Sequence, residues 1–280
     1  MQTYLDGKII SPFSICSIPI DIEVRNKMSD SEEYLYIASA TGFLVDVEGK
    51  PFLVSNWHVF SGHEFNNAYT DLIKEPHGAL PERITLHGLV KEQRVSLSLS
   101  GTSNTPLWFH NKESAVDIAV MELSPNNANA IRKLGWHAIN EIPSQEDLLL
   151  EVTDSVFIVG YPYGKRASME YNAMPIYKSG SIASEPALSY FPDRKSFLID
   201  GITRPGMSGS PVIAVSHNGY ISDKVICIDG STYYKFLGIY SGRIDGDMQD
   251  ESSLGIVWDK SLLFEMIDSE ISKKSLCINR

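Results

Sequence analysis

Short apolar runs separated by turn residues recur along the whole chain, and they limit what it can fold into. YLYIASATGFLVDV (34–47) reads as two strands around a tight bend, with Gly42 at a close-packing or bulge position. PFLVSNWHVF (51–60) starts as an apolar strand and reaches a histidine near its end. RITLHGLV (83–90) and RVSLSLS (94–100) alternate as half-buried strands do. AVDIAVMEL (115–123) is a compact apolar run containing one acid, and DSVFIVGYPYG (154–164) is a strand ending in a Gly/Pro turn. SFLIDGI (196–202), SPVIAV (210–215), KVICIDG (224–230) and YYKFLGIYSGRI (233–244) continue the series. Helix signals are scarce: a short one in NNANAIRKLGW (126–136), and a better one in DKSLLFEMIDSEISKK (259–274). In the latter, Leu262, Leu263, Met266, Ile267 and Ile271 fall at helical spacing behind a cap at Asp259 or Ser261. Strands this short and regular predict barrels or a sandwich, followed by a C-terminal helix. The stretch AINEIPSQEDLLLEV (138–152), polar in its middle and broken by Pro143, suits a boundary that divides the chain into halves 1–142 and 143–280.

A chain of 280 residues buries a sizeable core, and its 43% hydrophobic and 21% charged residues are ordinary for a globular protein. The formal net charge of −11 repels nucleic-acid phosphates and anionic membrane surfaces, so neither is an expected partner. Cys16, Cys227 and Cys277 are odd in number and far apart, without metal-ligand spacing, which favours a reducing compartment and predicts no metal site. The N-terminal stretch has Asp6 and Lys8 ahead of an apolar segment broken by Ser11, Pro12 and Ser14, unlike an export signal. No apolar run approaches the ~20 residues that span a bilayer. The expected location is cytoplasmic.

Three short motifs carry chemistry. In GMSGSPV (206–212) glycines flank Ser208. A nucleophilic serine needs a tight turn that aims backbone N–H groups at a developing oxyanion, and glycine supplies the freedom for it. In VSNWHVF (54–60), His58 lies near the end of an apolar run, where a rigid element can hold a general base; the six other histidines lack this setting. In AVDIAVMEL, Asp117 lies within an apolar run, and a buried carboxylate needs partners, of which a histidine is one. The three occur in the order His, Asp, Ser.

These words resemble the chymotrypsin-like (trypsin-like) serine peptidases, most closely a bacterial single-domain type related to the HtrA/Deg protease domain. SNWH is similar to the family's histidine word, DIAVMEL to its acid word and GMSGSP to its serine word. VFIVGYPYG resembles a segment of the HtrA branch, and GIYSGR resembles the strand lining the primary specificity pocket. The resemblance covers roughly residues 33–270. It implies an all-β fold of two six-stranded antiparallel barrels with a C-terminal helix, His58 and Asp117 on the first and Ser208 on the second. It also implies an oxyanion hole from the N–H groups of Gly206 and Ser208, and no cofactor.

Departures from the family pattern carry expectations of their own. Met207 stands where activated members place an aspartate, so no switch by N-terminal cleavage of that kind is expected. Ile202, six before the serine, argues against Lys/Arg selection, and Ser241, Gly242 and Arg243 are candidates for the wall of the substrate pocket. No PDZ-like module fits in the ~35 residues after 245. A peptidase without a zymogen switch must be kept from damaging its host, which implies narrow specificity or an activating partner protein, in a stress or defence setting. The expected function is a serine endopeptidase acting on protein or peptide substrates; the alternatives are a catalytically silent binding or scaffold module and another serine hydrolase. The latter's Gly-x-Ser-x-Gly word and Ser-Asp-His order do not fit here.

Overall fold

β-Branched and aromatic residues in alternating runs favour the pleated, half-buried surface of a sheet, and the chain uses nearly all of its runs that way. The computed structural model describes residues 3–28, 32–65, 72–76, 80–89, 93–102, 104–111, 115–168, 173–192, 194–244 and 253–278. The first half holds β1 (Thr3–Leu5), β2 (Lys8–Ile10), β3 (Ser17–Arg25), β4 (Tyr34–Val47), β5 (Lys50–Ser55), α1 (Trp57–Ser61), β6 (His63–Phe65), β7 (Leu72–Pro76), β8 (Arg83–His87), β9 (Arg94–Ser98), β10 (Ala119–Glu122) and α2 (Pro125–Lys133). The second half holds β11 (Ser155–Gly160), β12 (Ile176–Ile182), β13 (Ser196–Asp200), β14 (Pro211–Ser216), β15 (Tyr220–Ile221), β16 (Ile226–Cys227), β17 (Tyr233–Arg243), β18 (Leu254–Asp259) and α3 (Lys260–Ile278).

The second half is a closed antiparallel barrel in the order β11-β12-β13-β18-β17-β14. The first half is a six-stranded antiparallel sheet, β10-β5-β4-β3-β8-β9, whose two edge strands are not paired with each other among the described residues. This is the expected all-β architecture with a C-terminal helix, its first barrel built as an open sheet. Isolated bridges Ser100↔Pro106 and Phe109↔Val120 carry the chain across the gap between the edges.

Residues 34–47 form one strand rather than two. Its irregularity is a bulge at Ile37, where the pairing steps from Ile22↔Ala38 to Glu23↔Tyr36. Gly42 is a close-packing position: a Cβ there would stand 2.7 Å from Ile20 Cδ1 and 2.8 Å from the Val54 carbonyl. In α3, Asp259 provides the cap, its Oδ1 accepting from Ser261 N–H at 2.8 Å.

Strand alternation feeds two cores from the same strands. Leu44 of β4 and Leu53 of β5 point into the core of the first half with Ile18, Ile20, Ile84 and Leu86. Phe43, Phe52 and Val54 point the other way, into a shared seam with Ile213, Phe236, Ile239 and Trp258 of the barrel and Leu263 and Ile267 of α3. Full burial of such side chains contributes about 1.5–3 kcal/mol each. The seam therefore fixes the two halves against each other; along the chain, Trp136 and Ala138 still lie in the core of the first half and Leu148 already lies in that of the barrel. No described helix is long and apolar enough to cross a membrane.

Candidate active site

The apolar run carrying His58 changes structure before it reaches the histidine. β5 stops at Ser55, Asn56 takes the N-cap position without a side-chain cap bond, and His58 sits in the first turn of α1, which Gly62 ends in the left-handed region (φ +70°). Trp57, Val59 and Phe60 are buried and hold this five-residue helix in place, while the His58 side chain keeps 28% of its surface open. Asp117 likewise lies two residues before β10 rather than inside it. Its backbone carbonyl accepts from Asn56 Nδ2 at 2.7 Å, which ties the two loops together.

Asp117 is fully buried and its carboxylate receives three donors. Oδ1 accepts from the His58 backbone N–H at 3.0 Å, and Oδ2 accepts from His58 Nδ1 at 2.8 Å and from the Ser241 hydroxyl. A carboxylate only accepts, so the imidazole proton belongs on Nδ1 and the lone pair on Nε2. Burial disfavours the charged imidazolium, but the Asp117 charge and its hydrogen bond outweigh that effect and raise the His58 pKa above its ordinary 6.5.

The Ser208 segment is two successive β-turns sharing Met207. Met207 N–H bonds to Arg204 O at 3.2 Å and Ser210 N–H to Met207 O at 3.0 Å. Each turn places glycine third, Gly206 at φ +93° and Gly209 at φ +81°, where other residues are strained. A Cβ on Gly206 would lie 2.4 Å from Tyr161 O, and one on Gly209 would lie 2.2 Å from Thr41 O and 2.4 Å from Ser55 Oγ. Met207 is fully buried in the barrel core and anchors the segment.

A count of backbone partners shows what the turns present. Pro205 O accepts from Tyr163 N–H at 2.6 Å, Gly206 O from the Thr41 hydroxyl at 2.8 Å, Met207 O from Ser210 N–H, and Ser208 O from Thr41 N–H at 2.9 Å. Met207 N–H is used within the turn, and Gly209 N–H donates to Tyr240 O at 3.0 Å. From Pro205 to Ser210, only the N–H groups of Gly206 and Ser208 lack an acceptor among the described residues. Two unpaired donors beside a serine side chain are what an oxyanion-binding turn requires.

Gly209 packs on Ser55 at the end of β5, three residues before His58, and Ser241 of β17 reaches Asp117 across the seam. The structure thus brings His58, Asp117 and Ser208 to one place, with the acid held from both halves. His58 Nε2 and Ser208 Oγ make no hydrogen bond to each other; catalytic hydrogen bonds are often long in substrate-free sites.

A family model described as trypsin-like peptidase domain matches residues 40–219. The chain belongs to this family. No curated protein matches it. The matched span of the trypsin-like domain includes His58, Asp117 and Ser208 and stops before Ser241. Among its described residues, no group of three His, Cys, Asp or Glu side chains is placed to hold a metal ion.

The substrate-wall residues are distributed differently from one another. Ser241 turns its hydroxyl to Asp117 rather than to a wall, because the alternation of β17 points it into the seam. Gly242 faces open space and Arg243 is half-buried, at a break in pairing between Tyr240 and Arg243. Ile202 is 58% exposed; the buried neighbour is Thr203, whose hydroxyl bonds the Tyr240 hydroxyl. Sequence reasoning missed Thr41 and Asn56. The available signal at Thr41 was a hydroxyl inside the apolar run 40–45, the same kind of signal that singled out Asp117.

Proposed function

We propose that this trypsin-like domain is a serine endopeptidase that hydrolyses peptide bonds through an acyl-enzyme. Ser208 Oγ attacks the scissile carbonyl carbon while His58 Nε2 takes its proton. The carbonyl oxygen, now an alkoxide, is met by the N–H groups of Gly206 and Ser208, a term worth about 3–4 kcal/mol per donor in sites of this type. Asp117 keeps the imidazole in the Nδ1–H tautomer and stabilises its charged form. Collapse breaks the C–N bond, His58 returns the proton to the departing amine, and water repeats the sequence on the acyl-serine ester to release the acid. The pair of unpaired donors beside Ser208 is the observation that carries this reading, since a turn kept only for packing has no need to leave them open.

The substrates on this reading are proteins or peptides, and regulation falls to a partner protein or to narrow specificity. The cytoplasm is the proposed location, supported by few, distant cysteines, of which Cys16 and Cys227 are free thiols. The test is labelling with a fluorophosphonate beside Ser208→Ala and His58→Ala, followed by digestion of a peptide library. Labelling that requires both side chains, with cleavage of library peptides, is expected. A native protein that neither labels at Ser208 nor cuts any peptide refutes the proposal.

A further inference from the structure

Thr41 belongs to β4, in the sheet of the first half, yet its N–H and its hydroxyl are both engaged with the second half. Its N–H donates to Ser208 O at 2.9 Å, and its hydroxyl donates to Gly206 O at 2.8 Å and accepts from Tyr161 N–H at 3.2 Å. Its carbonyl accepts from Ser55 Oγ at 2.8 Å. The residue is fully buried. Gly160 makes the approach possible, because a Cβ there would stand 2.8 Å from Thr41 Oγ1 and 2.1 Å from Ser210 Oγ.

The two carbonyls that Thr41 holds alternate with the two free donors. Gly206 lies between its own N–H, fixed by the Tyr163 contact to Pro205 O, and its carbonyl, fixed by the Thr41 hydroxyl. Tyr163 makes its contact from the left-handed region (φ 53°), so this side of the turn is held by a conformation that is uncommon for tyrosine. Glycine offers no side-chain resistance to rotation. Without the Thr41 hydroxyl, the 206–207 peptide keeps only the Met207 N–H bond within its own turn.

We infer that Thr41 is the positioning residue of the oxyanion hole: its hydroxyl, supplied by the first half, sets the Gly206 and Ser208 donors of the second. This rests on the peptidase reading above and adds a residue to it. Thr41 touches no reacting atom, and its effect passes through the Gly206 carbonyl. The hole is therefore complete only when the two halves are docked.

The experiment compares native protein, Thr41→Val, which keeps the shape without the hydroxyl, and Thr41→Ser, which restores it. The phosphonylation rate of Ser208 is followed against pH, and the Gly206 amide by NMR with glycine-selective ¹⁵N labelling. For Thr41→Val the expected result is a plateau rate lowered about 10- to 100-fold, up to the loss of one oxyanion donor. The midpoint of the acid limb stays unchanged because His58 and Asp117 are untouched, and the Gly206 amide resonance moves. Thr41→Ser restores rate and resonance to near the native values. A Thr41→Val plateau within about twofold of native, or a Thr41→Ser variant as slow as Thr41→Val, overturns the inference. If the native protein does not label at all, the peptidase reading falls, and the Gly206 resonance decides the positioning role separately: an unmoved resonance in Thr41→Val refutes it.

Discussion

Replacing Asp117 with asparagine exchanges one oxygen for an NH₂ and tests directly the base role proposed for His58. The carboxylate has donors on both oxygens: His58 N–H on Oδ1, and His58 Nδ1 and the Ser241 hydroxyl on Oδ2. An amide offers one oxygen. If that oxygen takes the Oδ2 place, the NH₂ confronts the His58 backbone N–H, donor against donor, in a fully buried site. If it takes the Oδ1 place, the backbone bond survives and the NH₂ faces Nδ1. Nδ1 must then accept, the proton moves to Nε2, and the lone pair needed to deprotonate Ser208 is gone; the Ser241 hydroxyl can rotate to accept and does not oppose the change. The second arrangement is the cheaper, so Asp117→Asn folds and holds the wrong tautomer. The expected loss in acylation rate near neutral pH is about 10⁴-fold, or ~5 kcal/mol of transition-state stabilisation. Removal of the carboxylate also lets the His58 pKa fall. The native rate rises as pH increases through a midpoint above 6.5, where the imidazole loses its proton, and in the variant that midpoint moves to lower pH. The assay is the phosphonylation rate of Ser208 from pH 5 to 9. A variant within about tenfold of native at pH 7, or one whose acid limb does not move, refutes the account of Asp117.

Three further outcomes follow from the same geometry. Ser241→Ala removes one of two donors to Oδ2 and should slow acylation about tenfold while leaving the fold intact, as circular dichroism and the same labelling assay will report. Gly209→Ala places a Cβ 2.2 Å from Thr41 O at φ +81°, so the variant should be both less thermally stable and nearly inactive; a native-like melting temperature with native labelling would contradict the packing described. Burial, and secondarily the nearby Glu141 charge, push the Cys16 thiol well above the ordinary range, so iodoacetamide at pH 8 should alkylate the half-buried Cys227 well before Cys16, with Cys16 reacting freely only in urea; mass spectrometry of peptides reads this out. The Cys277 side chain lies outside the described residues.

The sequence made the local pieces legible and left their joining dark. Glycines around Ser208 and a carboxylate in an apolar run are visible because each violates a local rule, of backbone freedom or of burial, that only a partner can repair. The positions of His58 and Asp117 relative to their elements were not visible: both runs stay apolar past the point where the strand ends or before it begins, since Trp57 of α1 and the loop residues Val116 and Ile118 are as buried as strand residues. The number of strands in 34–47 was misread for a related reason. Gly42 marks a close approach of Ile20 and Val54, and a single glycine does not distinguish crowding from a bend. Thr41 and Ser241 were out of reach as partners, because the roles of both are defined by atoms of the opposite half, which no local pattern encodes.

The division of the site between the halves has a consequence in time. A ribosome delivers the first half, with its base and acid, well before Ser208, and the hydroxyl of Ser241 later still. The barrel cannot close until β18 emerges, because β13 and β17 both pair with it. If the peptidase proposal holds, a growing chain carries an imidazole and a carboxylate but no held nucleophile, and a fragment that stops short of Leu254 is expected to be inert however well its first half has folded. On this reading, the molecule becomes able to cut only once β18 has been made and packed into the barrel, which protects both itself and the machinery that makes it.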